Sequence, residues 1–109
     1  MGKLSRAKGK AGEREVAKLL RKFGFTARRG QQFKGGADSP DVIHNIGGLF
    51  IEVKRRERVD LYDALATANS EKNICDKSIV FHRRNRKGWL VTMQAEDFLE
   101  LCAGANRGQ

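Results

Sequence analysis

The sequence has few of the residues that mark several common classes of protein. It holds two cysteines, one proline, six Phe, one Trp and one Tyr among 109 residues. Cys75 and Cys102 stand alone, with no Cys-x-x-Cys pair and no histidine at zinc spacing. We therefore expect reduced, packed thiols, and neither a structural zinc nor a catalytic cysteine. Because most of the few aromatic residues fit the predicted core, stacking on single-stranded bases has little support.

Long apolar runs and acidic charge are also scarce. No run approaches the length of a transmembrane helix, and the amino terminus lacks the apolar stretch of a signal peptide. Thirteen Asp and Glu face twenty-two Lys and Arg, which gives a formal net charge of +9. Such an excess favours polyanions, because binding releases the counterions condensed on nucleic acid. We expect a cytoplasmic protein with no membrane partner.

Hydrophobic periodicity predicts the order helix, three strands, helix, two strands, helix in one domain over residues 1–109. This order indicates an α/β fold with a mixed central sheet flanked by helices. We predict a flexible basic arm over residues 1–9 and a disordered tail over residues 104–109. The predicted helices cover residues 10–23 and begin near residues 60 and 95, and the predicted strands cover residues 25–29, 41–46, 49–55, 78–82 and 89–93. Each helix carries an apolar stripe predicted to be buried: Val16, Leu19, Leu20 and Phe23 in the first, Leu61, Ala64, Leu65 and Ala68 in the second, which Asp60 can cap, and Ala95, Phe98, Leu99 and Cys102 in the third. On the first helix, Glu15 is expected to form a surface pair with Lys18.

The only proline stands directly before an acid, and a second acid with a lysine two positions later follows it. Asp41 begins one predicted strand, and Glu52 and Lys54 share a face of the next, beyond a predicted Gly47-Gly48 hairpin turn. If the strands pair, the two carboxylates can converge on a hard divalent cation such as Mg²⁺. Lys54 could then orient a water molecule or stabilise the charge that develops on a phosphate.

An acid-x-Lys triplet is common, so other interpretations of these residues stay open. Asp41 could be a turn residue, with Glu52 and Lys54 on a solvated strand face. Glu13 borders the apolar stripe of the first helix, where a third catalytic acid and a helix-dipole partner are equally supported. Asp38 is the reserve candidate if Asp41 faces away. We expect the histidines at positions 44 and 82 to be structural.

Basic residues form three groups along the chain, and two of them adjoin the candidate acids in sequence. A single basic run is more often a solvated face than a binding site. Three such runs, two of them beside candidate metal ligands in sequence, favour a surface that binds DNA phosphates. The groups are Arg28, Arg29 and Lys34; Arg55, Arg56 and Arg58; and Arg83, Arg84, Arg86 and Lys87.

Several segments together resemble the archaeal-type Holliday junction resolvases, which belong to the PD-(D/E)XK nuclease superfamily. The similarity covers about residues 8 to 93, and Gln31 to Ser39 form a longer, more glycine-rich loop than the archaeal pattern, which suggests a bacterial or phage member. The matching segments are residues 8–15, Leu19-Leu20, Phe23-Gly24-Phe25 with Arg28-Arg29, the signature Pro40-Asp41 and Glu52-Val53-Lys54, and Gly88-Trp89.

The resemblance implies a restriction-endonuclease-like α-β-β-β-α-β core and a Mg²⁺-dependent, homodimeric endonuclease that resolves four-way DNA junctions, with Mn²⁺ as a substitute ion. A dimer also suits two symmetric cuts. His82 falls near a lysine of the family and so departs from the family pattern. By position, the resemblance assigns Glu13, Asp41, Glu52 and Lys54 to catalysis. It assigns Asp41, Glu52 and the Val53 carbonyl to the metal, with Glu13 as an additional candidate ligand, and Arg14 and Arg29 to DNA phosphates.

Two other functions remain open from the sequence. One is a restriction- or repair-type endonuclease of the same fold that cuts duplex or flap DNA. The other is a non-catalytic, basic nucleic-acid-binding protein in which the acids are structural. The intact set of two acids and a lysine argues against the second, because a pure binder gains nothing from carboxylates that face phosphate.

Overall fold

The computed structural model describes residues 2–30 and 41–107, and its helices and strands follow the predicted order. The predicted fold class is confirmed, a mixed α/β fold with three helices. Among the described residues, none of the helices is long and apolar enough to cross a membrane. The elements are α1 Gly2–Lys22, β1 Ala27–Arg29, β2 Val42–His44, β3 Leu49–Arg55, α2 Leu61–Glu71, β4 Lys77–Arg83, β5 Leu90–Thr92 and α3 Ala95–Arg107.

The five strands found within residues 2–30 and 41–107 form two sheets. β1 and β2 pair antiparallel, while β3 pairs parallel with β4, and β4 pairs antiparallel with β5. The chain does turn at Gly47-Gly48, where Gly48 has a φ of 81° that suits glycine. However, β2 and β3 share no ladder within the described ranges, so the predicted hairpin pairing is absent there. Strand β3 instead uses β4 as its ladder partner, across the α2 crossover.

Helix α1 covers one face of β3 and β4. Val16, Ala17 and Leu20 are buried in one core cluster with Ile51 and Val53 of β3. At Gly12 the helix comes so close to β3 that an added Cβ would lie 2.9 Å from the Cβ of Arg55. A residue without a side chain is therefore needed for this approach.

The ends of α1 differ from the prediction. The helix begins at Gly2, so the segment predicted as a basic arm has a helical backbone through residues 2–9. Lys, Leu, Arg and Ala are strong helix formers and outweigh the glycines in this stretch. Phe23, predicted to end the buried stripe, is 70% exposed just beyond the last helical residue.

Helix α2 covers the other face of the sheet, as the sequence predicted. Asp60 caps it by accepting a hydrogen bond from the backbone N–H of Asp63. Ala64 and Leu65 form a second core cluster with Val80 of β4. Strands β3 and β4 are therefore packed between two helices, which buries both of their faces near the centre.

Helix α3 leaves the predicted buried stripe exposed. Phe98 and Leu99 are 54% and 61% exposed, and Cys102 is exposed as well. Both cysteines are free and exposed, so the expectation of packed thiols is wrong. Periodicity identifies an apolar helix face but does not say what covers it. The helix also continues to Arg107, into the predicted tail, and Lys77 pairs with its acids Asp97 and Glu100.

Candidate active site and phosphate-binding surface

Asp41 lies directly before β2 and reaches across to β3. Its Oδ2 accepts a hydrogen bond of 2.8 Å from the backbone N–H of Val53. This side chain occupies the edge of β3 that is opposite β4, where no ladder forms among the described residues. Because Val53 follows Glu52 directly, the contact brings the two acids together without a hairpin ladder.

Glu52 is a buried acid in the middle of β3, with only 6% of its surface exposed. It pairs in register with Val80, which packs beneath α2, so Glu52 lies on the α2 face of the sheet. Burial, a hydrogen bond with Asp41 and the negative charge of Asp41 raise the pKa of Glu52 to about 9. A divalent cation between two such carboxylates would relieve this cost and favour their ionised forms.

Glu13 of α1 stands near this pair but is engaged elsewhere. Its Oε1 accepts a 3.0 Å hydrogen bond from Nε of Arg29, in an ion pair between α1 and β1. Burial and the charge of Asp41 raise the pKa of Glu13, while Arg29 opposes them. Residues 2–30 and 41–107 contain no cluster of three or more acids, histidines or cysteines that could hold a metal. Asp41 and Glu52 as metal ligands, and Glu13 as a third, therefore stay predictions.

Lys54 is half-buried and lies two residues after Glu52, on the same face of β3. Its register partner on β4 is His82, whose Nε2 shares a 2.8 Å hydrogen bond with Oγ1 of Thr92 on β5. Burial lowers the pKa of His82, which favours a neutral ring. The charged group beside Glu52 on this face is therefore Lys54, while the neighbouring His82 is favoured in its neutral form.

Three of the predicted DNA-binding arginines are paired with acids. Arg29 contacts Glu13, while Arg55 and Arg83 both contact Glu15. Arg14 is exposed, and so are the other basic residues of the predicted groups that the structure describes: Arg28, Arg56, Arg58, Arg84, Arg86 and Lys87. Lys34 and Asp38 lie outside the described residues.

Glu15 is the residue of this region that the sequence analysis missed, because a surface pair with Lys18 was expected. A signal was present in the alternation of β3. Ile51 and Val53 pack against α1, so Arg55, two residues on, must emerge on the α1 side. An acid on α1 could therefore be expected to meet it.

Two adjoining acids, with a lysine on the same strand as Glu52 and exposed arginines on neighbouring elements, are the arrangement predicted for a nuclease. The family model described as archaeal Holliday junction resolvase (Hjc) matches residues 4–99, so the chain belongs to that family of junction-resolving nucleases. Among solved structures, it is similar to Hjc of Archaeoglobus fulgidus, a Holliday junction resolvase from an archaeal hyperthermophile. The identity is 26% and the TM-score 0.54, over 76% of this chain and 74% of that one. No curated protein sequence matches the chain.

Proposed function

We propose that this chain resolves four-way DNA junctions by hydrolysing backbone phosphodiesters with Mg²⁺ at Asp41 and Glu52, where Mn²⁺ would substitute. The observation that carries the proposal is the close approach of the half-buried Asp41 to the buried Glu52, at the edge of β3 where Asp41 accepts a hydrogen bond from the Val53 N–H. Carboxylate oxygens suit Mg²⁺, which retains several waters and so needs few protein ligands. The Val53 carbonyl is a further ligand of the right kind, since the N–H and C=O of a strand residue point to the same edge.

Three parts of the protein would take part in this reaction: the pair Asp41 and Glu52, Lys54, and Glu13. The bound ion would supply Lewis acidity at the phosphate and balance the charge of the acid pair. Lys54, on the face of Glu52, would orient the attacking water by hydrogen bonding and offset charge on the phosphate oxygens. Glu13 would act as a third acid after Arg29 leaves it for a DNA phosphate.

The exposed cations would hold the DNA backbone around this site. Arg28 directly precedes Arg29, the ion-pair partner of Glu13, on β1. Arg56 directly follows β3, the strand that carries Glu52. Arg84 and Arg86 occupy the turn between β4 and β5. Cations placed on several elements track a backbone path and position it without reading bases. A protein with this substrate belongs in the cytoplasm, that of the host if the chain is encoded by a phage.

A second copy of the chain would complete the enzyme. Cutting a junction symmetrically takes two active sites, and a two-fold dimer supplies them in the right relation. The apolar face of α3, formed by Phe98, Leu99 and Cys102, is exposed and suits an isologous contact. Sedimentation equilibrium should give twice the 12.2 kDa mass of the chain, and a monomer for Phe98→Glu. A wild-type monomer that still makes paired cuts would contradict the dimer.

Substitution of the site residues tests the proposal. Glu52→Gln and Lys54→Ala should abolish Mg²⁺-dependent cleavage of a labelled junction while leaving junction binding intact. Glu57→Gln, at an exposed acid outside the site, is the matched control and should cut normally. Retained cleavage in both site variants would overturn the residue assignment.

Substrate comparison tests the alternatives. Equal cutting of a junction and of linear duplex with the same sequences would favour a restriction- or repair-type enzyme. Salt-sensitive binding with no product under any divalent ion would favour a non-catalytic binder.

A further inference from the structure

Glu15 joins two arginines from neighbouring strands to one carboxylate. Its Oε1 accepts a 2.8 Å hydrogen bond from Nη1 of Arg83, at the end of β4. Its Oε2 lies 3.0 Å from Nε of Arg55, at the end of β3. That second contact is an ion pair without an aligned hydrogen bond, since Arg55 Nε has no hydrogen-bond partner among the described residues.

The surroundings of this ion-pair cluster restrain both arginines. The side chains of Arg55 and Arg83 are only 20% and 22% exposed, so water screens the contacts less than at an open surface. The guanidinium of Arg83 also lies over the ring of Trp89, 5.9 Å from its centroid. The Cβ of Arg55 packs against α1 at Gly12.

The position of the cluster connects it with DNA binding. Arg55 directly follows Lys54, and Arg83 directly follows the register partner of Lys54. The residue that directly follows each strand, Arg56 after β3 and Arg84 after β4, is an exposed arginine. Glu15 therefore determines how many of the four arginines at this end of β3 and β4 are free to bind phosphate.

We propose that Glu15 is a specificity-determining residue that withholds Arg55 and Arg83 from DNA phosphates. This inference rests on the proposed function only in taking DNA as the ligand. Non-specific affinity for duplex DNA grows with the number of phosphates neutralised, and the logarithm of the binding constant falls by about 0.9 per contact for each tenfold rise in salt. Withholding Arg55 and Arg83 lowers the affinity for any duplex. A junction presents several backbones together, so it keeps contacts with the exposed arginines Arg56 and Arg84.

The test compares Glu15→Gln with Glu57→Gln by measuring affinity for a junction and for linear duplex across a salt series in EDTA. Both variants remove one negative charge, but Glu57 accepts a hydrogen bond from the backbone N–H of Asn85 and forms no ion pair with an arginine among the described residues. In Glu15→Gln, the salt slope for duplex should steepen by about 2, as expected for two added phosphate contacts. Duplex affinity should rise roughly tenfold at low salt, and the preference for the junction should shrink.

An equal slope in Glu15→Gln and Glu57→Gln, or weaker duplex binding in Glu15→Gln, would overturn the proposal. Weaker binding is also what simple loss of structure would produce, so the sign of the effect separates the two. A second series remains decisive if Glu15→Gln does not fold. Arg83→Gln should leave the salt slope of the otherwise wild-type protein unchanged, whereas Arg84→Gln should lower it by about 1. A drop of about 1 for Arg83→Gln would show that Arg83 already binds phosphate. Because these measurements need no cleavage, failure of the catalytic assignment would not affect them.

Discussion

Replacing Glu52 by glutamine should change how the stability of the metal-free protein depends on pH. Burial and the neighbouring Asp41 raise the pKa of Glu52 from 4.5 to about 9 in the folded protein. Between these values, the folded chain keeps a proton on Glu52 that the unfolded chain has released. The unfolded state then binds fewer protons, so the free energy of unfolding falls as pH rises.

The size of the effect follows from the count of one proton. The slope is about 1.4 kcal/mol per pH unit for a single group, or about 3 kcal/mol between pH 5.5 and 7.5. That loss is a large part of the roughly 5–15 kcal/mol that stabilises a domain. Glutamine keeps the shape of the side chain but does not titrate, so Glu52→Gln should lack this slope.

Urea unfolding in EDTA at pH 5.5, 6.5 and 7.5 measures the difference. The stability of Glu52→Gln relative to wild type should rise by about 3 kcal/mol across the range. Glu57→Gln, with an exposed acid, should stay parallel to wild type. Parallel curves for Glu52→Gln and wild type would refute the assignment of a proton to the buried acid pair.

Two further predictions concern the metal and the core. Mg²⁺ binding near pH 7 should release about one proton, because the ion replaces the proton held by Glu52. Calorimetry in buffers of different ionisation enthalpy measures this proton release. Binding heats that do not depend on the buffer would contradict the prediction. Gly12→Ala should destabilise the protein by about 1–3 kcal/mol, since its Cβ would stand 2.9 Å from the Cβ of Arg55. Urea unfolding measures this change, and Gly9→Ala is the control because its Cβ meets nothing within 4 Å. Equal stabilities of Gly12→Ala and wild type would show that α1 shifts freely.

The local pattern of the sequence was enough to predict the order of elements, and it singled out Asp41 and Glu52 as candidate site residues. The α2 stripe of Ala64 and Leu65 has both the spacing and a cap, and the structure buries it. Asp41 and Glu52 were predicted to meet through a hairpin ladder, yet they meet through a side-chain hydrogen bond to Val53. The sequence did not show this route, because the pairing of β3 with β4 depends on a contact that is distant in the sequence.

The remaining differences have the same physical origin. The two arginines that Glu15 contacts lie far from it along the chain, so helical spacing favoured the nearby Lys18 instead. Phe98 has the spacing of a buried residue, but no element of the described chain covers it. Periodicity reports which side of a helix is apolar, whereas the partner of that side is set by tertiary structure or by another chain.

The most direct test of the central claim is cleavage of a synthetic four-way junction, labelled on each strand in turn, with Mg²⁺ and with EDTA. The account predicts paired cuts on two opposite strands with Mg²⁺, none with EDTA, and none with Glu52→Gln. Cuts by Glu52→Gln at the wild-type rate, or cleavage in EDTA, would contradict a metal-dependent site at Asp41 and Glu52.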